Sequence, residues 1–510
     1  MMFFTETKLR KHIDEIRTTV YRGKMPISSF KYLEAECKGA HAPEFDDSSW
    51  RDFQVGETWG GYDKVAWFRT KVEIPEEWKN QKVVLRFLVG PRDGGGSTAE
   101  TLLYVNGKPL QGIDIWHEEA WLPPELLKDG GIDIALKAWS SVLKVPDRRR
   151  FKVAELAIVD EAAEQFFYKV DTLLLALKEL DENDYVRTEL LKALNDSMQK
   201  VDFLKPGSDM YYDSIREALA ALEERIGRLE DKNDAKPKVT MVGHSHIDMA
   251  WLWRLSHTRE KASRTFSTVL HLMRQYPEYR YLHSSPQLYQ FLKEDYPEIF
   301  ERVKEKIRSG EWEITGGMWV EPDTNLPSGE SLIRQILFGK RFMREEFGVE
   351  SKVVWLPDVF GYTWALPQIM KKSGIESFMT TKISWSQFNR FPYDTFKWRG
   401  MDGTEILTHF ITTPEHGSLH YTYNGEIDPK SVKSIWDAYQ QKDINDELLL
   451  AYGWGDGGGG PTKEMLEAGR VMKNLPGFPK VETGTAEPYF ERLAERLEDQ
   501  PVPVWDGELY

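Results

Sequence analysis

The chain has 510 residues, of which 41% are hydrophobic, 29% charged and 13% aromatic, a globular composition with room for roughly three domains. Its net charge of −15 argues against nucleic acid or an acidic membrane as partner, because both select clustered Lys and Arg. A single cysteine, Cys37, excludes an intrachain disulfide, and no apolar run approaches the roughly 20 residues of a membrane span. The opening Met-Met-Phe-Phe-Thr-Glu-Thr-Lys is too short in apolar length for a signal peptide, so the expected compartment is the cytoplasm.

Residues 1–45 form an N-terminal lead with one amphipathic stretch, residues 7–22, at helical spacing, expected to pack on a later domain. From 46 to 160 the pattern changes to short strand-like runs: 66–72, 83–89 and 102–108, the last containing the hairpin pair Asn106-Gly107. This segment is expected to be a β-sandwich, with Gly94-Gly95-Gly96 as a loop in it. Residues 161–237 read as a helical linker: Phe166, Val170, Leu173, Leu174 and Leu177, then Ile215, Leu219, Leu222, Ile226 and Leu229, follow a 3.6-residue period. The polar stretch from Asp231 to Lys238 marks a boundary. From 238 to 510 strand and helix patterns alternate, which implies a mostly parallel sheet with its site at the strand C-termini.

Several predicted strands run into polar residues that a core would not want. The first, Lys-Val-Thr-Met-Val, leads into Gly243-His244-Ser245-His246-Ile247-Asp248-Met249-Ala250-Trp251. In extended chain, residues two apart share a face, so His246 and Asp248 can converge on one cation with the nitrogen and oxygen donors that Zn²⁺ accepts. A later strand ends in Gly316-Gly317-Met318-Trp319-Val320-Glu321-Pro322-Asp323-Thr324-Asn325, where Glu321, Asp323 and Asn325 offer oxygens. Others end in Trp355-Leu356-Pro357-Asp358-Val359-Phe360-Gly361-Tyr362, in Thr380-Thr381-Lys382, and in Asp456 followed by four glycines. Singly, Asp358 could be an N-cap, Asp456 a turn residue and Lys382 a solvated charge. Together they form a cluster of titratable groups at one face of a sheet, the expected form of an active site. The 18 tryptophans and 21 tyrosines hint at sugar stacking, although buried packing accounts for most of them.

The ordered set Gly-His-Ser-His-Ile-Asp-Met-Ala-Trp, Gly-Gly-Met-Trp-Val-Glu-Pro-Asp, Trp-Leu-Pro-Asp-Val-Phe-Gly-Tyr and Gly-Asp-Gly-Gly-Gly-Gly-Pro-Thr resembles the α-mannosidases of glycoside hydrolase family 38, cytosolic and bacterial branch, over about residues 238–510. The resemblance implies an α/β catalytic domain of (β/α)7-barrel type, preceded by the β-sandwich and the helical linker. It also implies retaining hydrolysis of terminal α-mannosides with Zn²⁺, or Co²⁺, as cofactor. By similarity His246 and Asp248 are metal ligands, Asp358 is both third ligand and nucleophile, and Asp456 is the general acid/base. Trp251 then floors the mannose ring, Lys382 holds the nucleophile's carboxylate where relatives have an arginine, and Asp323 contacts substrate. His244 is left out of the ligand set. Many relatives self-associate, so a homo-oligomer is part of the same expectation.

Family members carry a further zinc-binding histidine after a Gly-Glu-Leu-Tyr-like run, and the sequence stops at Gly507-Glu508-Leu509-Tyr510, so the chain reads as the N-terminal half of a longer enzyme. Two rivals remain. A non-catalytic sugar-binding module predicts binding without turnover. A metal-dependent amidohydrolase predicts more histidine ligands at later strand ends, where only His283 and His409 stand as candidates.

Overall fold

Asn106 and Gly107 adopt φ of 50° and 77°, the two left-handed residues of a type I′ turn, and join the antiparallel strands Glu100–Val105 and Lys108–Ile113. The computed structural model to which they belong describes residues 4–90, 99–128, 130–142, 148–229, 237–415, 418 and 420–510. The Gly94-Gly95-Gly96 loop and most of the 231–238 boundary lie outside the described residues. The chain divides into two units, one comprising Met1–Asp231, Ser263–His271 and Thr462–Val471, the other Lys232–Ala262, Leu272–Pro461 and Met472–Tyr510.

In the first unit two antiparallel sheets face a common core. One has the order Tyr21–Pro26, Val153–Val159, Val83–Leu88, Glu119–Trp121; the other runs Arg51–Gln54, Ser29–Leu33, Val65–Glu73, Gly131–Trp139, Glu100–Val105, Lys108–Ile113. Inward residues of the two sheets supply Phe30, Phe53, Phe68, Leu85, Phe87 and Leu136, and Trp59 and Phe151 from the connecting segments join them. Phe68 meets Phe30, Phe53, Trp59 and Phe151 edge-on, and each such ring contributes about 2–3 kcal/mol by burial. The lead is therefore helical only over Thr5–Thr19, and its strands Tyr21–Pro26 and Ser29–Leu33 already belong to the sandwich. Their sequences, Tyr-Arg-Gly-Lys-Met-Pro and Ser-Phe-Lys-Tyr-Leu, are short; the first is a sheet edge with every second residue exposed, and the second lies between Arg51–Gln54 and Val65–Glu73. Three helices follow, Glu161–Glu179, Tyr185–Met198 and Asp209–Leu229; Asp160 and Asp184 cap the first two by accepting backbone N–H bonds from Ala163 and Val186. Helix Thr5–Thr19 buries Leu9, Ile13 and Ile16, and Arg10 pairs with Asp171 of this group.

The second unit carries two five-stranded sheets. The first is wholly parallel, in the order Trp312–Ile314, Tyr281–His283, Lys238–His244, Glu447–Tyr452, with Lys480–Thr483 alongside the start of Lys238–His244. Glu447–Tyr452 is buried along its whole length, as expected of a parallel strand covered on both faces. The second sheet runs Val353–Trp355, Ser377–Thr380, Glu405–Phe410, Thr395–Arg399, Val504–Asp506, parallel except for the Thr395–Arg399 and Glu405–Phe410 pair. Val242, Leu282, Trp355, Met379 and Leu449 from both sheets share one core. Among the described residues the strands do not close into the expected seven-stranded ring. The Trp312–Ile314 strand is only three residues long, and Gly316, at φ 110°, turns the chain away after one backbone bond to Val353 O at 3.1 Å. The mostly parallel arrangement still sends the strand ends Gly243-His244, Ile314, Trp355, Thr380 and Tyr452 toward one side.

Candidate active site

His246 lies just past the Lys238–His244 strand and is buried, its ring enclosed by acids. Its Nδ1 is 2.8 Å from Glu321 Oε2, while Nε2 is 3.3 Å from Asp248 Oδ1 and 3.6 Å from Asp358 Oδ2. Burial by itself would push this imidazole down, but the charges of Glu321 and Asp248 hold it well above its ordinary value. Burial raises the Asp248 carboxyl and contact with His246 lowers it, and the lowering prevails.

Asp358 follows the Val353–Trp355 strand in a loop locked from beneath. The Tyr362 hydroxyl donates to Leu356 O at 2.7 Å and lies 2.6 Å from Thr380 Oγ1, while Thr381 Oγ1 donates to Pro357 O at 2.8 Å. With the peptides on either side so fixed, the carboxylate is presented to Lys382 Nζ, which forms an ion pair with Asp358 Oδ1.

Asp456 occupies a left-handed backbone position, φ 53°, in the glycine-rich loop after Glu447–Tyr452. Such strain in a non-glycine residue persists only where the surroundings impose it. Here Asp456 N donates to His246 O at 2.7 Å, and Gly453, at φ 127°, passes so near that a Cβ would lie 2.3 Å from His244 O. Burial pushes the Asp456 carboxyl up to about 6; His246 pulls it down, and Asp248 and Asp358 add to the rise. The Tyr423 hydroxyl donates to Asp456 Oδ1 at 3.3 Å.

A divalent ion with bonds of about 2.1 Å to tetrahedral N and O donors sets those donors about 3.4 Å apart. The spacings from His246 Nε2 to Asp248 and Asp358 bracket that value, and His246, Asp248 and Asp456 each offer a donor atom within 4.8 Å of the others. The donor set therefore fits a metal, with His246 and Asp248 common to both arrangements and Asp358 standing closer to the imidazole. Glu321 on the opposite ring nitrogen leaves Nε2 as the ligating atom.

Trp251 is 59% exposed and edge-on to Trp253 at 5.7 Å, too open to be a packing residue. Asp323 is exposed, and its Oδ1 accepts the N–H groups of Asn325 and Leu326 at 2.8 Å each. It holds a turn, and Glu321 is the acid of that motif that reaches the cluster. His244 is fully buried and accepts from Trp355 Nε1 at 3.1 Å; burial, with His283 and His246 nearby, keeps it neutral. His283 and His409 are core residues pushed down to about 3 by burial, the latter bonded to Thr395 and Tyr489. The further histidine ligands of an amidohydrolase are not supplied by them.

The model "Glycosyl hydrolases family 38 N-terminal domain" matches residues 236–508. The chain belongs to glycosyl hydrolase family 38. The model "Alpha-mannosidase, jelly roll domain" matches residues 26–134, starting within the expected helical lead, as the strands there do. Among curated proteins this family 38 chain is similar to Alpha-mannosidase G of Dictyostelium discoideum, 34% identical over 90% of the chain and 42% of the relative. It is also similar to Alpha-mannosidase of Saccharomyces cerevisiae, 30% identical over 100% and 48%, and to Alpha-mannosidase 2C1 of Homo sapiens, 31% identical over 91% and 44%. The chain spans less than half the length of these relatives.

Two contacts were not singled out in sequence. Glu321 was one of three oxygens in its motif, with nothing to rank it above Asp323. Tyr423 sits in Tyr421-Thr422-Tyr423-Asn424, a segment with no pattern to set it apart.

Proposed function

We propose that the protein hydrolyses terminal α-mannosides with retention of configuration, in the cytoplasm and with a bound divalent metal. The observation that carries this reading is the meeting of His246, Asp248, Asp358, Asp456 and Lys382 at one end of parallel strands in a family 38 chain. Asp358 is the nucleophile: its carboxylate attacks the anomeric carbon, the glycosidic C–O bond breaks, and Asp456 gives its proton to the departing oxygen. In the second step Asp456 takes a proton from water, the water oxygen attacks the same carbon, and Asp358 leaves as carboxylate. Lys382 pairs with the Asp358 carboxylate, and the buried carboxyl of Asp456 is the one suited to hold a proton. Trp251 offers a face on which the sugar ring can rest.

His246, Asp248 and Asp358 would hold the metal, with Asp456 near enough to sense it. Bound Zn²⁺, or Co²⁺, supplies positive charge and a grip on sugar hydroxyls. The cytoplasmic assignment is supported by the single cysteine.

The test is hydrolysis of an aryl α-mannoside after chelation and after restoring Zn²⁺ or Co²⁺, alongside the Asp358→Asn variant. Turnover that follows the metal and vanishes in Asp358→Asn is the expected result. Mannoside binding without turnover by the folded, metal-loaded protein would replace this reading with a carbohydrate-binding one.

A further inference from the structure

Lysine and arginine do not hold a carboxylate in the same way. A guanidinium engages it through a planar fork that fixes its own orientation, whereas an ammonium is a point charge on a flexible stem and must be steered from outside. Lys382 is buried at 9% exposure, and its Nζ stands 3.9 Å from the Trp385 ring centroid, 4.6 Å from that of Phe360 and 5.7 Å from that of Tyr423, while pairing with Asp358. All three rings lie within the range in which an aromatic face attracts a cation, and Trp presents the strongest such face.

Trp385 is itself held. Its indole stacks on His420 with centroids 4.7 Å apart and planes at 22°, and its Nε1 donates to Tyr421 O at 3.4 Å. The short helix that carries it, Lys382–Trp385, is tied to the same segment by Tyr421 N donating to Ser384 Oγ at 2.8 Å. Lys382 and Trp385 open and close one turn, so the indole is carried back over the ammonium of its own helix.

We infer that Trp385, braced by His420, is a positioning residue that fixes the Lys382 ammonium on the nucleophile Asp358, supplying from outside the orientation that a guanidinium carries in its own plane. This rests on the mannosidase reading for its catalytic consequence, and on the cage alone for its geometry. Trp385→Ala frees the ammonium to swing away, whereas Trp385→Phe keeps an aromatic face above it. Lys382→Arg added to Trp385→Ala restores a self-orienting partner.

The experiment has two arms on the metal-loaded protein. In aryl α-mannoside kinetics, Trp385→Ala should lower kcat by about tenfold to a hundredfold with KM nearly unchanged, and Trp385→Phe and Lys382→Arg/Trp385→Ala should both recover most of the loss. A rise in KM with kcat preserved would make Trp385 a substrate platform and overturn the inference. In the second arm, protein labelled with ¹³C at lysine Cε, with Lys382→Arg for assignment, should show the Lys382 ε-methylene displaced upfield by ring current and returned among the other lysines in Trp385→Ala. An undisplaced Lys382 resonance overturns the cage whether or not the protein turns over. A displaced resonance without turnover retires the mannosidase reading and leaves the cage standing.

Discussion

A glycosidic oxygen leaves poorly without a proton, so the residue that delivers it is recognised by how strongly its loss depends on the leaving group. Asp456→Asn should lower kcat/KM by about 10²–10⁴ on methyl α-mannoside and far less on 2,4-dinitrophenyl α-mannoside, whose phenolate departs unassisted. Equal losses on the two substrates would remove Asp456 from the acid role. At this scale the sequence was legible wherever chemistry and backbone made the same demand: Asp456 among glycines, Asp358 between proline and glycine, His246 and Asp248 two apart in extended chain. It was not legible where only the fold decides. Asp323 and Glu321 are both acids after one strand, and the turn that claims Asp323 Oδ1 leaves Glu321 to meet His246. Tyr423 reaches Asp456 from a segment that carries no signal of its own.

Among elements, helix Ala486–Leu497 shows how a strand can hold a helix end. Glu313, from Trp312–Ile314, accepts the N–H groups of Ala486 at 2.6 Å and Glu487 at 2.8 Å, two of the donors a helix N-terminus leaves unpaired. Full burial nevertheless pushes the Glu313 carboxyl up to about 7. A folded value above the ordinary one stabilises the fold below about pH 4.5, and that contribution is lost as pH rises through about 7. Thermal melts across this window should therefore show Tm of the native protein falling relative to Glu313→Gln. A pH-independent difference between the two would mean that Glu313 keeps its ordinary value. The alternation of strands and helices was readable from residue 238 onward because buried parallel strands such as Glu447–Tyr452 carry an unbroken apolar run, here Leu448-Leu449-Leu450-Ala451. The strands Tyr21–Pro26 and Ser29–Leu33 were hidden because both are short and interleave charged or polar residues with apolar ones.

At the scale of the whole molecule, a ligand held only by the folded state stabilises that state by mass action. Zn²⁺ at about a hundred times its Kd should raise stability by ~2.7 kcal/mol, seen as a higher Tm, and His246→Ala should abolish the increment while folding normally without metal. An unchanged increment in His246→Ala would place the ion elsewhere. The bond from Asp456 N to His246 O has a kinetic side as well. It closes a loop of about 200 residues, a contact of very high order that loop entropy defers until most other pairings exist. During synthesis His246 and Asp248 emerge long before Asp358, and Asp358 long before Asp456, so the metal-binding groups are presented ahead of the acid. Closing Asp456 onto His246 is thereby left to a chain whose local pairings already stand.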